Sequence, residues 1–264
     1  VQCNMHQGAY HGEFKGWYDN GQMSSTCMMQ MGKKHGQLKE WYDNGQLKYL
    51  HYYVNGQKHG EAKDWHKNGK LAVICTMKDG KHHGQLTEWY DNGQVQYKHT
   101  LQNGEKHGKC RDYHRNGQVA VDCTITNGKH HGDLNEYYSN GNMKLACTMV
   151  DGAYHGILKE WYESGQLRSE KSMQQNKYFG LCKTWHENGQ LDSECTLTDG
   201  EVNGEFKRWY ANGQLQQHYM MKQGREHGEC KEWHSNGQLK RQASMEGGHA
   251  IGHVKRFDRE GKQI

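Results

Sequence analysis

A period of 24 residues, unbroken by any insertion or deletion, constrains the fold more than any other feature of this sequence. Glycine recurs at every twenty-fourth residue from Gly12 to Gly252, and a second glycine recurs in the same way from Gly21 to Gly261. A third series begins at Gly8, and Asn176 fills its one missing place. The 264 residues are therefore eleven repeats. Self-similarity at a period of about 20–50 residues predicts a repeat architecture, in which neighbouring modules bury one another's apolar surface.

Apolar residues follow the same period, so each repeat places similar side chains in similar environments. We number the positions of each repeat from 1 to 24, starting at Val1. Position 5 is apolar or aromatic in every repeat, and position 23 is Met, Leu or Val until Gln263. Position 17 holds every tryptophan of the chain, and Tyr113, Tyr137 or Phe257 in the remaining repeats.

Two Asn-Gly turn signals divide each repeat into two short strands. They are Asp91-Asn92-Gly93-Gln94 and Gln102-Asn103-Gly104-Glu105 in one example, with runs of about seven residues between them. Asn-Gly between such runs predicts β-hairpins. The complete absence of proline fits a continuous β-ladder. The sequence thus predicts an all-β fold, an elongated open antiparallel sheet of stacked β-hairpins from eleven 24-residue repeats. Residues 1–264 are expected to form a single repeat array, with 241–264 as a degenerate C-terminal cap.

The recurring phrase Asn-Gly-x-x-His-Gly-x-x-x-x-Trp-(Tyr/His)-x-Asn-Gly-Gln-Leu resembles the MORN repeat, in the variant common in bacterial and giant-virus proteins. The resemblance covers all eleven repeats. It implies hairpins stacked into an elongated twisted sheet, and a role as a binding scaffold or a membrane-proximal tether. Some bacterial members of that family are labelled antitoxins, and its presence in giant viruses makes a virion-associated structural role a further expectation.

Two charged columns lie next to the tryptophans. Position 15 is basic in nine repeats and position 16 is acidic in seven, so the two columns are expected on opposite faces of the sheet. One hypothesis is that the tryptophans and lysines together bind an acidic partner or anionic headgroups. The alternative is that tryptophan forms the core, with lysine lying over it. The candidate partner-binding residues are Trp17, Lys39, Trp41, Lys63, Trp65, Trp89, Lys159, Trp161, Lys183, Trp185, Lys207, Trp209, Lys231 and Trp233.

The register of each hairpin depends on its loop, and two alternatives are open. A two-residue Asn-Gly loop places Cys110 opposite Cys123. A three-residue loop with a glycine bulge slips the pairing by one residue, exchanges the two faces and places tryptophan opposite position 23. We favour the bulged loop, because it pairs two apolar columns.

The nine cysteines and twenty histidines predict neither a disulfide framework nor a metal site. Only Cys110–Cys123 and Cys182–Cys195 are placed to pair, and only in the unbulged register. Histidines of one column lie two strands apart, about 10 Å, too far to share a metal ion. We expect reduced thiols, an intracellular setting and no cofactor.

The same regularity argues against catalysis, because an active site needs a singular constellation of residues and here almost every polar feature recurs. The net charge of +4 predicts no nucleic-acid partner, and no apolar run long enough for a transmembrane helix or a signal peptide is present. The sequence predicts a non-enzymatic repeat scaffold that binds another protein. A tether to anionic membranes and antitoxin-like neutralisation of a partner protein are the alternatives.

Overall fold

A computed structural model describes all 264 residues, and its regular secondary structure is entirely β-strand. The chain divides into two compact units, Val1–Lys129 and His130–Ile264. Within each unit the strands pair antiparallel in chain order to form an open sheet of hairpins. At two places the pairing strand is interrupted, so that β6 and β7 both bond to β5, and β23 and β24 both bond to β22. The predicted fold class is confirmed.

The strands of the first unit are β1 (Gln2–His6), β2 (Ala9–Trp17), β3 (Met23–Gln30), β4 (Lys33–Trp41), β5 (Leu47–Val54), β6 (Gln57–Lys58), β7 (Gly60–Trp65), β8 (Leu71–Lys78), β9 (Lys81–Trp89), β10 (Val95–Gln102), β11 (Glu105–Tyr113) and β12 (Val119–Thr126). The strands that follow are β13 (Lys129–Tyr137), β14 (Met143–Val150), β15 (Ala153–Trp161), β16 (Leu167–Gln174), β17 (Lys177–Trp185), β18 (Leu191–Thr198), β19 (Glu201–Trp209), β20 (Leu215–Lys222), β21 (Arg225–Trp233), β22 (Leu239–Glu246), β23 (His249–Ala250) and β24 (Lys255–Arg256).

The loop within each hairpin has three residues and a glycine bulge, as favoured from the sequence. In the first hairpin the amide of Tyr18 donates to the carbonyl of Gln22 at 2.8 Å, and the amide of Gly21 donates to the carbonyl of Tyr18 at 2.9 Å. Gly21 has φ +83°, a left-handed conformation that glycine adopts without steric cost. The side-chain oxygen of Asn20 accepts the amide of Gln22 at 3.0 Å and holds the turn closed.

The hairpin of β11 and β12 shows a second irregularity. Pairings of both predicted registers occur in it, so the predicted choice between the two registers is wrong. Tyr113 pairs with Val119, which is the tryptophan-to-position-23 pairing, but Cys110 also pairs with Cys123. Both pairings occur because Ala120, at position 24, is an extra residue between Val119 and Val121. This bulge restores the alternation that the loop had shifted.

The turn between hairpins is a two-residue loop. Asn103 and Gly104 have φ of 54° and 89°, and Gln102 pairs with Glu105 across them. Four residues later Gly108, φ +79°, lies in a bulge where one residue of β10 faces three residues of β11. The three glycine columns of the sequence therefore lie at left-handed positions, and position 7, which is Asn103 in this repeat, is a fourth.

Burial divides the sheet into two faces. The core face carries positions 1, 3, 5, 14 and 16, and the open face carries positions 2, 4, 13 and 15, which pair across the strands. Positions 3 and 14 alternate across the sheet in what we call the central row. In the first unit it contains Cys27, Leu38, His51, Ala62, Cys75, Leu86, His99, Cys110 and Cys123. In the second unit it contains Leu158, Lys171, Cys182, Cys195, Phe206, Tyr219, Cys230 and Ala243.

Side-chain size is compensated along the central row. Where position 3 is large, as in His99, Lys171 and Tyr219, the next residue of the row is a small cysteine. Where position 3 is cysteine, as in Cys27, Cys75 and Cys195, the next residue is leucine or phenylalanine. Where one hairpin meets the next, a large side chain thus faces a small one, which keeps this part of the core face closely packed.

Side chains at positions 18 and 20 hydrogen-bond to backbone carbonyls of the next repeat and so connect successive repeats. The Tyr18 hydroxyl donates to the carbonyl of Trp41 at 2.6 Å, and His66 Nε2 bonds in the same way to the carbonyl of Trp89 at 2.8 Å. The Asn20 side-chain amide donates to the carbonyl of Asp43 at 3.1 Å. Because tyrosine and histidine both reach this carbonyl, position 18 accepts either residue. Hydrogen bonds of these two kinds recur through both units.

Candidate functional site

The basic column lies on the open face, and carboxylates of the same face neutralise most of it. Lys15, Lys63, Lys207 and Lys231 pair with the glutamate two residues earlier at 2.6–2.9 Å. Lys159, Lys183 and Arg111 pair instead with Glu170, Glu194 and Asp122 on the neighbouring strand. Lys39 differs because Gln37 and Leu50 at the corresponding positions carry no charge. The open face is therefore balanced in charge along most of its length.

The tryptophans lie beside the hairpin loops, outside the core. Each pairs with position 23, as Trp41 does with Leu47, and all are half-buried except Trp17, which is 41% exposed. The alternative in which tryptophan forms the core is wrong, because the bulge at position 24 directs the central row into that role. The cation–π contacts of the chain involve tyrosine rings, such as Lys48 over Tyr42 at 5.6 Å.

The acidic column lies on the core face and bonds to the polar residues of that face. Asp64 and Asp112 each accept from a buried histidine, His51 and His99, at 2.6 Å. The ring of His99 also stacks on Tyr97, with ring centroids 4.6 Å apart. These histidines take the place that cysteine occupies in other repeats. Their hydrogen bonds give partners to buried polar atoms, which would destabilise the fold if they were left without one.

Two further carboxylates of this column are bonded in the second unit. Glu160 accepts from Ser169 at 2.6 Å and from Lys171 at 3.0 Å. Glu232 accepts from Tyr219 at 2.8 Å and from Arg241 at 2.9 Å. Burial alone would raise the pKa of both glutamates, but these hydrogen bonds and the adjacent cations lower the pKa below its ordinary value.

The cysteines are all free thiols, and most of them are inert core residues. Burial raises the pKa of Cys75, Cys123 and Cys147 to about 11. Cys182 is the exception, because the adjacent Cys195 thiol stabilises its thiolate and lowers its pKa against the opposing effect of burial. No group of three or more His, Cys, Asp or Glu side chains is arranged to hold a metal ion.

One stretch of the open face departs from the repeat. Position 13 is polar or charged in every repeat except two, where it is Ile157 and Leu181. These side chains are 52% and 45% exposed, and Phe179, two residues before Leu181, is also exposed. The small Ser172 of β16 pairs with Ile157 and lies on the strand between the two apolar residues. Sequence reasoning missed this patch, although the break in the position-13 column was its signal.

The family of the chain follows from its match to a known repeat. The family described as "MORN repeat variant" matches residues 10–30, 34–55, 58–79, 83–103, 106–127, 154–175, 180–199, 202–223 and 226–246. The chain is a MORN-repeat protein. Each match spans one hairpin with its loop, and the hairpin of β13 and β14 has the same loop hydrogen bond, from Tyr138 to Asn142 at 2.8 Å, although no match covers it. MORN repeats are commonly protein-binding or membrane-binding repeats.

Comparisons with whole proteins add no functional argument. No curated protein matches the MORN-repeat chain. The structure titled "Crystal Structure of TcdB2-TccC3-Cdc42" aligns with 97% of this chain and 17% of its own, at 11% identity and a TM-score of 0.19. The structure titled "Crystal Structure of TcdB2-TccC3" aligns with 93% and 18%, at 11% identity and a TM-score of 0.20. The chain thus spans less than a fifth of either one. The MORN-repeat chain contains no helix long and apolar enough to cross a lipid bilayer.

Proposed function

We propose that this MORN-repeat protein is a non-enzymatic scaffold that binds a protein partner on the open face of β15–β18. The observation that carries the proposal is the exposed pair Ile157 and Leu181, the only apolar residues at position 13. Their repeats also hold the predicted residues Lys159, Trp161, Lys183 and Trp185, so the predicted lysine and tryptophan columns flank the apolar pair.

The apolar pair supports binding because the other repeats show that folding does not require an apolar residue at position 13. Eight repeats fold with Glu, Gln, Lys or Asp at position 13, so an apolar residue is not needed there for the hairpin. Isolated exposed apolar residues are ordinary, but two at the same position of adjacent repeats, with exposed Phe179 on the same strand as Leu181, form an apolar patch on the open face. Such patches mark interaction sites.

The charges of this region favour a protein over an anionic membrane. Lys159 is 3.1 Å from Glu170, and Lys183 is 3.4 Å from Glu194. A lysine already paired with a carboxylate adds little attraction toward lipid headgroups. The same lysine–glutamate pairs can form the polar rim that surrounds an apolar centre in protein interfaces.

The test compares two variants that change the same position by the same charge. Ile157→Glu with Leu181→Glu removes the apolar pair, and Gln37→Glu with Gln85→Glu is the control on the first unit. Glutamate at position 13 is native in Glu13, Glu61, Glu205 and Glu229, so both variants are expected to fold. Burying one Ile or Leu contributes about 1.5–3 kcal/mol, so losing two should weaken binding about 100-fold or more.

The proposal is tested by capture from the native source, identification of the bound protein by mass spectrometry, and titration of that protein against each variant. Full affinity of the control and loss of affinity in the Ile157/Leu181 variant are expected. Equal affinities for both variants would refute the site. Flotation with liposomes that depends on anionic lipid, with no captured protein, would favour the membrane tether instead.

A further inference from the structure

Two pairs of cysteines stand directly opposite each other in the central row. Cys110 pairs with Cys123 across β11 and β12, and Cys182 pairs with Cys195 across β17 and β18. Directly opposed residues of antiparallel strands have Cα atoms about 4.5–5.5 Å apart, which lies within the range that a disulfide spans. The register therefore brings both pairs within reach of a cross-strand disulfide, and all four are free thiols in the structure.

The two pairs differ in access. Cys110 and Cys123 are 3% and 6% exposed, whereas Cys182 and Cys195 are only half-buried. A disulfide reagent in solution can therefore approach the second pair more readily than the first. Cys110–Cys123 has the same register and the same residue types as Cys182–Cys195. It is therefore an internal control for the effect of exposure and of neighbouring side chains on thiol reactivity.

The side chains around Cys182 favour its thiolate. Its two neighbours in the central row are Lys171 on β16 and Cys195 on β18. The adjacent Cys195 thiol, followed by the Lys171 ammonium, stabilises the Cys182 thiolate and lowers the pKa of Cys182 against the opposing effect of burial. The ammonium of Lys171 is also 3.0 Å from Glu160 and lies over the ring of Tyr178 at 5.6 Å. The adjacent Cys182 thiolate, followed by burial, raises the pKa of Cys195.

We propose that Cys182 and Cys195 form a thiol–disulfide exchange site, at which a small disulfide such as glutathione disulfide converts the two thiols into a cross-strand disulfide. Cys182 is the attacking residue and Cys195 is the resolving residue. This chemistry is separate from partner binding, since the central row lies on the core face and Ile157 and Leu181 lie on the open face.

The exchange takes two steps. The Cys182 thiolate attacks one sulfur of glutathione disulfide, which breaks the glutathione S–S bond, forms a mixed disulfide and releases one glutathione thiolate. Cys195 then loses its proton to solvent and attacks the Cys182 sulfur, which expels the second glutathione. Two protein thiols are oxidised by two electrons in total, and one glutathione disulfide is reduced to two glutathione molecules.

The expected selectivity follows from the thiolate populations. The thiolate is the nucleophile in exchange, and of these four thiols only Cys182 has a lowered pKa, whereas burial raises the pKa of Cys110 and Cys123. The pair that is also the more exposed, Cys182–Cys195, should therefore oxidise first.

The experiment treats the reduced, folded chain with glutathione disulfide at pH 7, quenches it with acid, alkylates the remaining thiols and maps each cysteine by peptide mass spectrometry. A disulfide between Cys182 and Cys195 is expected while Cys110 and Cys123 remain alkylated. The urea-unfolded chain, in which all the thiols are exposed, is expected to lose this preference.

Two serine variants separate the roles of the thiols. Cys195→Ser should stop at a stable glutathione adduct on Cys182, and Cys182→Ser should leave Cys195 unmodified over the same time. Oxidation of both pairs at similar rates in the folded chain, or unchanged reactivity of Cys195 in the Cys182→Ser variant, would overturn the proposal.

Discussion

Overpacking of the central row by Cys230→Leu gives the most quantitative test of the packing. Cys230 is 0% exposed and pairs with Tyr219 on one side and Ala243 on the other, with Met245 in the same cluster. Leucine adds two heavy atoms where no space is open to solvent. Overpacking of this kind costs about 1–3 kcal/mol, so we expect the free energy of unfolding to fall by that amount.

A second substitution, Tyr219→Cys, should be energetically coupled to the first. In the variant that combines Tyr219→Cys with Cys230→Leu, Phe206 is followed by cysteine and leucine, which is the order that Phe14, Cys27 and Leu38 have in the first unit. Tyr219→Cys alone should cost about 3 kcal/mol, because it leaves a cavity and removes the hydrogen bond to Glu232. Together the two changes should cost less than their sum by about 1–3 kcal/mol.

The assay is urea unfolding of the wild type, both single variants and the double variant under reducing conditions, followed by circular dichroism. The four free energies of unfolding give the interaction energy between the two positions. An interaction energy below about 0.5 kcal/mol would mean that the two sites act independently. That result would refute size compensation as the reason why a large residue at position 3 is followed by a small residue at position 14 in the next hairpin.

Four further outcomes follow from the same structure. Gly108→Ala should destabilise the chain by about 1–2 kcal/mol in urea unfolding, because φ is +79° there and the nearest side-chain atom, 3.9 Å away, leaves room for the added methyl group. Tyr42→Phe should cost about 1 kcal/mol in the same assay by removing the hydrogen bond to the Trp65 carbonyl. Ser164→Asn should stabilise by about 0.5–1 kcal/mol, because it supplies the inter-repeat hydrogen bond that Asn20 and its equivalents make. The pKa of Glu232 is lowered, so its contribution to stability is present above the ordinary carboxyl pKa and is lost as pH falls; unfolding measured between about pH 6 and pH 3 should show a loss that Glu232→Gln reduces.

The local structure of each repeat could be predicted from the sequence because short-range chemistry fixes it. The residues Asn103-Gly104 predicted a two-residue turn, and both adopt positive φ. The loop around Gly21 could also be predicted, because pairing tryptophan with position 23 required a glycine bulge. These features depend on residues next to one another in the chain.

The faces of the sheet could not be predicted, because one extra residue changes which side chains are buried. Ala120 carries no signal that marks it as a bulge, so the sequence supported either a Cys110–Cys123 pair or a Tyr113–Val119 pair and gave no reason to expect both. The inter-repeat hydrogen bonds of position 18 could not be predicted either, since they join residues 23 apart in the chain and depend on the register. Their only sequence signal is that tyrosine and histidine, both able to hydrogen-bond, share this position in all but the last repeat.

The candidate site was partly predictable. The lysine and tryptophan columns were visible as repeats, but the pairing of Lys159 with Glu170 depends on which residues face each other across β15 and β16. The apolar patch could have been found only by looking for departures from the repeat. Ile157 and Leu181 are informative because they are the two apolar residues in an otherwise polar column.

The cross-strand register of one hairpin tests the central claim most directly, because the register decides which side chains form the core face and which are presented to a partner. Nuclear Overhauser contacts between the α-protons and amide protons of β11 and β12 would measure it in the folded chain. The structure predicts that Cys110 lies opposite Cys123 while Tyr113 lies opposite Val119 in the same hairpin. A uniform register that contains only one of these pairings would contradict the account, because it would exchange the core face and the open face along part of every strand.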